Sequence, residues 1–441
     1  MSLLGRLRYF ANVDLVGHGV LRVQRLQMQR KLARRKPRPD SLFGPPLQSS
    51  AWLKELISRH YLAGRYAHDR GPVVWVTSGA PIEFLSALGY FLLYPENHAA
   101  VCGIRRWGEK QCLVAEEAGY SRDLCSYART DFGTLLSGKS PVGRLPKPDL
   151  LVCCTNICQT VLHWYQVLAE HFKVPLILID TPFIYTEASE HALSFVEEQL
   201  EEAFFVAEKV AGRKLHEDKL RQVMQHSHEA VSLWMQILDR ARARPAPISA
   251  FDEFIHMGPI VEMRGQSFTV AYYRALLAEL DRRIEQGVGV LREERIRLLW
   301  DNLPIWYQMR PLSQMLAEHG ATLVASTYTN AWGELADMID PAEPIKSMAR
   351  VYMHPILNRG TGHKLKTMRR MVDDFGAHGV ILHSDRSCKP YSIGQMDQRE
   401  RLVSELGVPA ILLEADHNDP RSYSEEQTDN RLMAFLEMLT P

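Results

Sequence analysis

Residues 71–95, "GPVVWVTSGAPIEFLSALGYFLLYP", constrain the fold more than any other stretch. A short β-branched and aromatic run meets a Ser-Gly-Ala-Pro turn, then a helix opening near Pro81, then a second apolar run, which is the pattern of a βαβ unit. Residues 148–182, "PDLLVCCTNICQTVLHWYQVLAEHFKVPLILIDTP", repeat the plan. Here the pattern predicts a strand from Leu150 to Cys154, a polar turn, a helix from about Cys158 to His171, and a strand from Pro175 to Asp180. Strands alternating with helices in this way build a parallel sheet covered by helices on both faces.

From about Tyr185 to Gln286 the pattern changes to long helical stretches rich in Glu, Lys, Arg, Ala and Leu. Residues 295–330 and 376–416 then restore strand, turn, helix and strand twice more. The expected fold is α/β: two doubly wound parallel-sheet lobes facing a central crevice, with a helical insert and an N-terminal helical arm. The expected divisions are an arm over 1–69, a first lobe over 70–184, a helical bridge over 185–290 and a second lobe over 291–441. The length of 441 residues, 46% of them hydrophobic, suits at least two domains. Ligands of such sheets gather outside the carboxyl ends of the strands.

Charge narrows the partners. Lys plus Arg and Asp plus Glu number 52 each, which argues against a nucleic-acid partner for the molecule as a whole. The first forty residues are the exception, with Arg6, Arg8, Arg22, Arg25, Arg30, Lys31, Arg34, Arg35, Lys36 and Arg38 against Asp14 and Asp40. Such an arm suits an acidic partner, a phosphate-rich ligand or a membrane face, or is simply a solvated basic helix packed on the body. Basic residues interrupt the apolar stretch at the start, unlike a secretory signal, and no run is long enough for a membrane span. The expected location is therefore the cytoplasm, where thiols stay reduced, and an odd count of seven cysteines does not suggest a disulfide framework.

Residues 133–140, "GTLLSGKS", match the phosphate-loop pattern G-x-x-x-x-G-K-[ST]. That loop needs a strand before it and a helix after it. Here no β-branched run precedes, and Pro141, Gly143, Pro146 and Pro148 forbid a following helix, so the segment reads as a linker.

The cysteines leave packing and metal binding open. No paired C-x2-4-C spacing marks a zinc site. Cys158 follows a strand and opens a helix, Cys388 lies between the strand "GVILH" and another helix, and Cys125 sits in a helical stretch upstream of the first lobe's central strand. These three can reach one crevice, and a helix N-terminus favours the thiolate. Three thiolates on four irons would leave one iron open as a Lewis acid.

"YPENHAA", "AEEAGYSRDLCSYARTDFG", "PDLLVCCTNICQTVLHWYQVL", "HSDRSCKPYSIGQ" and "EADHNDPRSYSEEQTDNRLMAFLEML", in this order, resemble the subunits of the benzoyl-CoA reductase and 2-hydroxyacyl-CoA dehydratase family. The resemblance runs from about residue 70 to the C-terminus and is of the 2-hydroxyglutaryl-CoA dehydratase D-component type. It implies a [4Fe-4S] cluster on Cys125, Cys158 and Cys388, with Cys154 as an alternate to Cys158. It also implies an acyl-CoA substrate, a related second subunit, and a separate ATP-hydrolysing iron-sulfur activator that injects a low-potential electron. The chemistry implied is dehydration of a 2-hydroxyacyl-CoA or reduction of an aromatic acyl-CoA. A relay subunit without catalysis, a double cubane and a metal-free crevice are the alternatives. Cys102, Cys112 and Cys153 are expected as small buried hydrophobes.

Around such a site Ser78, His383 and Ser384 are the expected catalytic donors, with Ser126 and Lys389 as further candidates. Each has a plainer reading: a turn or cap for the serines, a core residue for His383, a solvated charge for Lys389. Glu83 lies in the first turn of a helix, where the dipole alone favours an acid.

Overall fold

Every residue of Leu150–Cys154 is buried, with Leu150, Val152 and Cys154 packing into one core and Leu151 and Cys153 into another. Side chains of successive strand residues point to opposite faces, so a strand apolar throughout must be covered on both sides. The computed structural model describes residues 3–34 and 40–440. Arg35, Lys36 and Arg38 of the basic arm lie outside the described residues.

Two four-stranded parallel sheets organise the chain. In the first, β1 (Val73–Val76), β2 (Phe91–Leu93), β3 (Leu150–Cys154) and β4 (Leu176–Ile179) lie in the order β2-β1-β3-β4. In the second, β5 (Ile296–Asp301), β6 (Ala321–Ser326), β7 (Gly379–Asp385) and β8 (Ala410–Ala415) lie in the order β6-β5-β7-β8. The two orders are the same when each sheet is counted from its own first strand. Direction of winding reverses between the first and third strands of each sheet, and the loops leaving those strands diverge to open a crevice. The strand expected at Pro175 to Asp180 is one residue shorter at each end.

The N-terminal arm is helical from Leu3 to Arg34, passing through a π-helical stretch, Phe10–Gly17. Its last part, α1 (His18–Arg34), packs along α2 (Ser50–Arg65), where Arg25 reaches Glu55 at 3.0 Å. Three long helices, α3 (Glu190–Ala211), α4 (Glu217–Asp239) and α5 (Ser267–Glu285), dominate the stretch between the sheets. From α4, Ser227 Oγ donates to Glu83 below the first sheet at 3.0 Å, while Trp234 Nε1 donates to the Thr329 carbonyl beside the second at 3.0 Å. The helices thus tie both sheets together. Arg297 of β5, fully buried, donates to the carbonyls of Ala241, Ala243 and Phe375.

Glu253 makes a further tie, accepting from Thr329 Oγ1 at 2.7 Å while its other carboxyl oxygen has no partner. Burial raises this carboxyl from 4.5 to about 8, so the folded chain keeps a proton that the unfolded chain releases above about 4.5. This contribution to stability is fully present below 4.5 and is lost as pH rises towards 8. Glu253→Gln, which keeps the shape without the charge, is expected to flatten that part of the stability curve. Urea unfolding at pH 5 and pH 8.5 measures it, with a differential effect on the order of a few kcal/mol.

Candidate active site

Three cysteines occupy the same local position, the residue immediately before a helix. Cys125 precedes Ser126–Ser137, Cys158 precedes Gln159–Phe172, and Cys388 precedes the short helix Lys389–Ser392. Helix-initial N–H groups have no partners within the helix and can turn to a sulfur. The N–H groups of Thr160 and Val161 favour the thiolate of Cys158, and that of Tyr391 favours the thiolate of Cys388. All three line one cavity of about 170 Å³, with walls mainly apolar and aromatic, including Trp164, Tyr328 and Trp332.

Burial nevertheless dominates the thiols of Cys158 and Cys388. It pushes Cys158 up to about 12, with the Cys125 charge adding to the rise, and it also pushes Cys388 well up, aided by Asp385, Cys125 and Cys158. A compensating positive group would favour the thiolates of Cys158 and Cys388, which burial and the neighbouring cysteines disfavour. The donor set fits such a group. Among the described residues, the set of His, Cys, Asp or Glu ligand atoms lying within 4.8 Å of one another is Asp385, Asp416 and His417; the cysteine sulfurs are not so closely spaced. Three sulfur donors around one mainly apolar cavity are the ligand chemistry that an iron-sulfur cluster takes.

The remaining cysteines lie elsewhere. Cys102, Cys112, Cys153 and Cys154 are fully buried and line no part of this cavity. Cys154 points into the core on the opposite face of β3 from Cys153, and its backbone N–H donates to Thr77 Oγ1.

Two loops brace the cysteines. Asp385 Oδ2 receives a hydrogen bond from His417 Nδ1 at 2.6 Å, and its other oxygen accepts from the N–H groups of Ser387 and Cys388. Burial disfavours charge on His417, but Asp385 and Asp416 outweigh it and hold the ring protonated. Its Nε2 then donates to Ser126 Oγ at 2.9 Å and lies 4.0 Å from Cys125 Sγ. The Ser126 backbone N–H donates to Ser387 Oγ, which in turn donates to Asp416. Asp416 also accepts from the N–H groups of Asn418 and Asp419. Through these hydrogen bonds the Asp385, Asp416 and His417 group, whose ligand atoms lie within 4.8 Å of one another, orients the loops that carry Cys125 and Cys388.

The other expected residues divide clearly. Ser78 lines the cavity at the turn after β1, its N–H donating to Glu96 Oε1 at 3.0 Å and its hydroxyl to Asn97 at 3.2 Å. His383, Ser384, Ser126 and Lys389 do not line it. His383 is buried within β7, pairs through Nδ1 with the Leu303 carbonyl at 2.7 Å and packs on Trp300. Burial keeps it neutral, so it supports the Leu303 turn. Ser384 lies opposite Glu414 of β8, one strand position beyond His383, and is half-buried. Lys389 is exposed and donates to the Arg386 carbonyl.

Glu96 is a site residue that the sequence pattern does not single out, although "YPENHAA" contains it. Burial lifts it to about 7 against the opposing hydrogen bond from Ser78, and Oε2 has no partner while the residue lines the cavity. A carboxyl that exchanges a proton near neutrality is suited to acid and base work. Glu83 begins a helix, as expected, and also anchors the cavity floor. Tyr352 donates to it at 2.8 Å, and Arg264 approaches it at 3.4 Å while donating to Tyr352 Oη at 2.6 Å. Arg264 also lies over the Trp332 ring.

A sequence model of the family described as 2-hydroxyglutaryl-CoA dehydratase, D-component, matches residues 77–439. The chain is 31% identical over 391 residues to the (R)-phenyllactyl-CoA dehydratase alpha subunit of Clostridium sporogenes, covering 88% of this chain and 95% of that protein. It is also 31% identical over 391 residues to the (R)-2-hydroxyisocaproyl-CoA dehydratase alpha subunit of Clostridioides difficile, with the same coverage. A benzoyl-CoA reductase subunit of Thauera aromatica is 29% identical over 402 residues, 88% of this chain and 93% of its own.

The Glu83, Arg264 and Tyr352 group predicts a stability effect. Glu83→Ala leaves the buried guanidinium of Arg264 without its anion and is expected to cost about 3–5 kcal/mol in chemical unfolding. Arg264 at the surface, free to be hydrated, would have produced a loss well under about 1 kcal/mol.

Proposed function

Because this chain belongs to the 2-hydroxyglutaryl-CoA dehydratase D-component family, we propose that it is the iron-sulfur subunit of a radical enzyme acting on a CoA thioester. The reaction is dehydration of a 2-hydroxyacyl-CoA or reduction of an aromatic acyl-CoA, since relatives of both kinds match over most of their length. One observation carries the reading: three of seven cysteines, far apart in sequence and each opening a helix, line the cavity that also holds the near-neutral Glu96.

Cys125, Cys158 and Cys388 would hold a [4Fe-4S] cluster. When bound, that group supplies a low-potential electron and an iron without a protein thiolate. The chain's own residues do the rest. Glu96 gives or takes a proton through Oε2, and the Ser78 N–H holds the other oxygen in place. Trp164, Tyr328 and Trp332 keep bulk water from the reacting centre, where a stray proton or oxidant would divert the electron.

A related second subunit completes the enzyme, as the alpha-subunit names of the relatives suggest. The electron comes from a separate ATP-hydrolysing iron-sulfur activator, and the system works in the cytoplasm, where thiols remain reduced. No described helix is long and apolar enough to cross a membrane.

Two outcomes test this. Anaerobic purification is expected to yield a brown chain with about four iron atoms. Cys125→Ser, Cys158→Ser and Cys388→Ser should each lose most of that iron, whereas Cys154→Ser should keep it; iron retained in all four variants refutes the ligand set. Glu96→Gln is expected to keep the iron while lowering turnover of the thioester substrate by about 10²–10⁴-fold.

A further inference from the structure

A second cavity, of about 650 Å³, opens between α1, α2 and the body of the protein. Much of its wall lies outside residues 77–439, the part shared with the family model, so the basic arm builds it. Its lining carries Arg22, Arg25, Arg59, Arg70, Lys219 and Arg264, against Glu55 and Glu262. Glu55 is already held by Arg25 and Arg59, and burial leaves Glu262 close to half protonated near neutrality, at about 7.

The uncompensated charge therefore sits at the rim. Arg22 makes no ion pair among the described residues, Lys219 donates only to Gln222, and Arg70 stands over the Tyr9 ring. Aromatic surfaces complete the lining: Trp52 beneath Arg25, and His60 stacked on Phe91 at 4.9 Å. Guanidinium groups grip phosphates, and the aromatic residues give the lining an apolar wall beside them, so the chemistry matches a nucleotide carrying several phosphates.

Position adds to chemistry. Arg264 lines both this groove and the cysteine cavity, with Val261 on the cavity side and Glu262 and Met263 on the groove side. A single helical turn, Gly258–Glu262, and the residues following it separate the two. The groove and the cysteine cavity therefore abut at Arg264.

The geometry points to this groove as the seat of the phosphorylated adenosine end of the CoA thioester, with the N-terminal arm acting as a substrate-binding element. This inference rests on the CoA-thioester reading above. A free adenine nucleotide shares the chemistry and is the competing source.

Calorimetric titration of the full-length chain, purified anaerobically, tests it with CoA, adenosine 3′,5′-bisphosphate, ATP and pantetheine as probes. The variant is Arg22→Glu combined with Lys219→Glu, two exposed residues without ion pairs, with thermal melting confirming that the fold persists. The expected result is that CoA binds more tightly than ATP or pantetheine, that added salt weakens it, and that the variant loses about tenfold or more in CoA affinity with pantetheine unchanged. Unchanged CoA binding by the folded variant overturns the inference. Tight ATP binding that the variant loses, without CoA binding, overturns the assignment to substrate. Iron measured in the same samples separates the two readings, since a chain that binds CoA through the groove but holds no iron contradicts only the iron-sulfur proposal.

Discussion

The hydrogen-bonded brace between the two sheets is the constraint on which the cavity depends. Cys125 belongs to the first half of the chain and Cys388 to the second, and nothing in either sheet alone fixes their separation. Asp385, His417 and Ser126 do so, with Ser387 reaching back to the Ser126 backbone. Every member is buried, so loss of any one strands a polar group in an apolar setting. Such fully satisfied networks rigidify what they hold, and the objects held here are two of the three sulfurs. The third, on Cys158, is positioned independently by the turn after β3 and the free N–H groups of the helix that follows.

Topology explains why the loops meet at all. Because both sheets run in the same relative order, each has its change of winding between its first and third strands. Ser78 leaves β1 and Cys158 follows β3 at that point in the first sheet; Leu303 leaves β5 and Cys388 follows β7 at the same point in the second. Asn302 helps by turning sharply at φ 85°, a left-handed conformation that an asparagine tolerates better than most residues. Glu83 between β1 and β2, Arg264 from the stretch between the sheets and Tyr352 between β6 and β7 close the floor, so three separate parts of the chain meet in one buried group.

What can be read from sequence follows from which forces are local. β3 is legible to the residue, because an apolar run bounded by Pro148 and a polar turn has few alternatives. The helical bridge and the paired sheets are legible for the same reason. The placement of Cys154 and Cys158 is set by strand alternation and by the start of a helix, and both are periodic signals. The partners of those elements are not legible. His383 and His417 are alike in sequence, each ending an apolar strand region, yet His383 is held neutral under Leu303 while two carboxylates hold His417 charged at the cavity. Glu83 and Glu96 each begin a helix, where the dipole offers a sufficient explanation for an acid. Only long-range packing reveals that one anchors Arg264 and the other keeps a proton near neutrality.

The central claim is that Cys125, Cys158 and Cys388 converge on one multi-iron group held between the sheets. Anomalous diffraction at the iron edge, from crystals grown anaerobically, tests this most directly. The account predicts a single compact peak of iron density bounded by those three sulfurs, with Glu96 and Ser78 on its open side. Iron bound instead at Asp385, Asp416 and His417, or three isolated thiols with no iron between them, would contradict it.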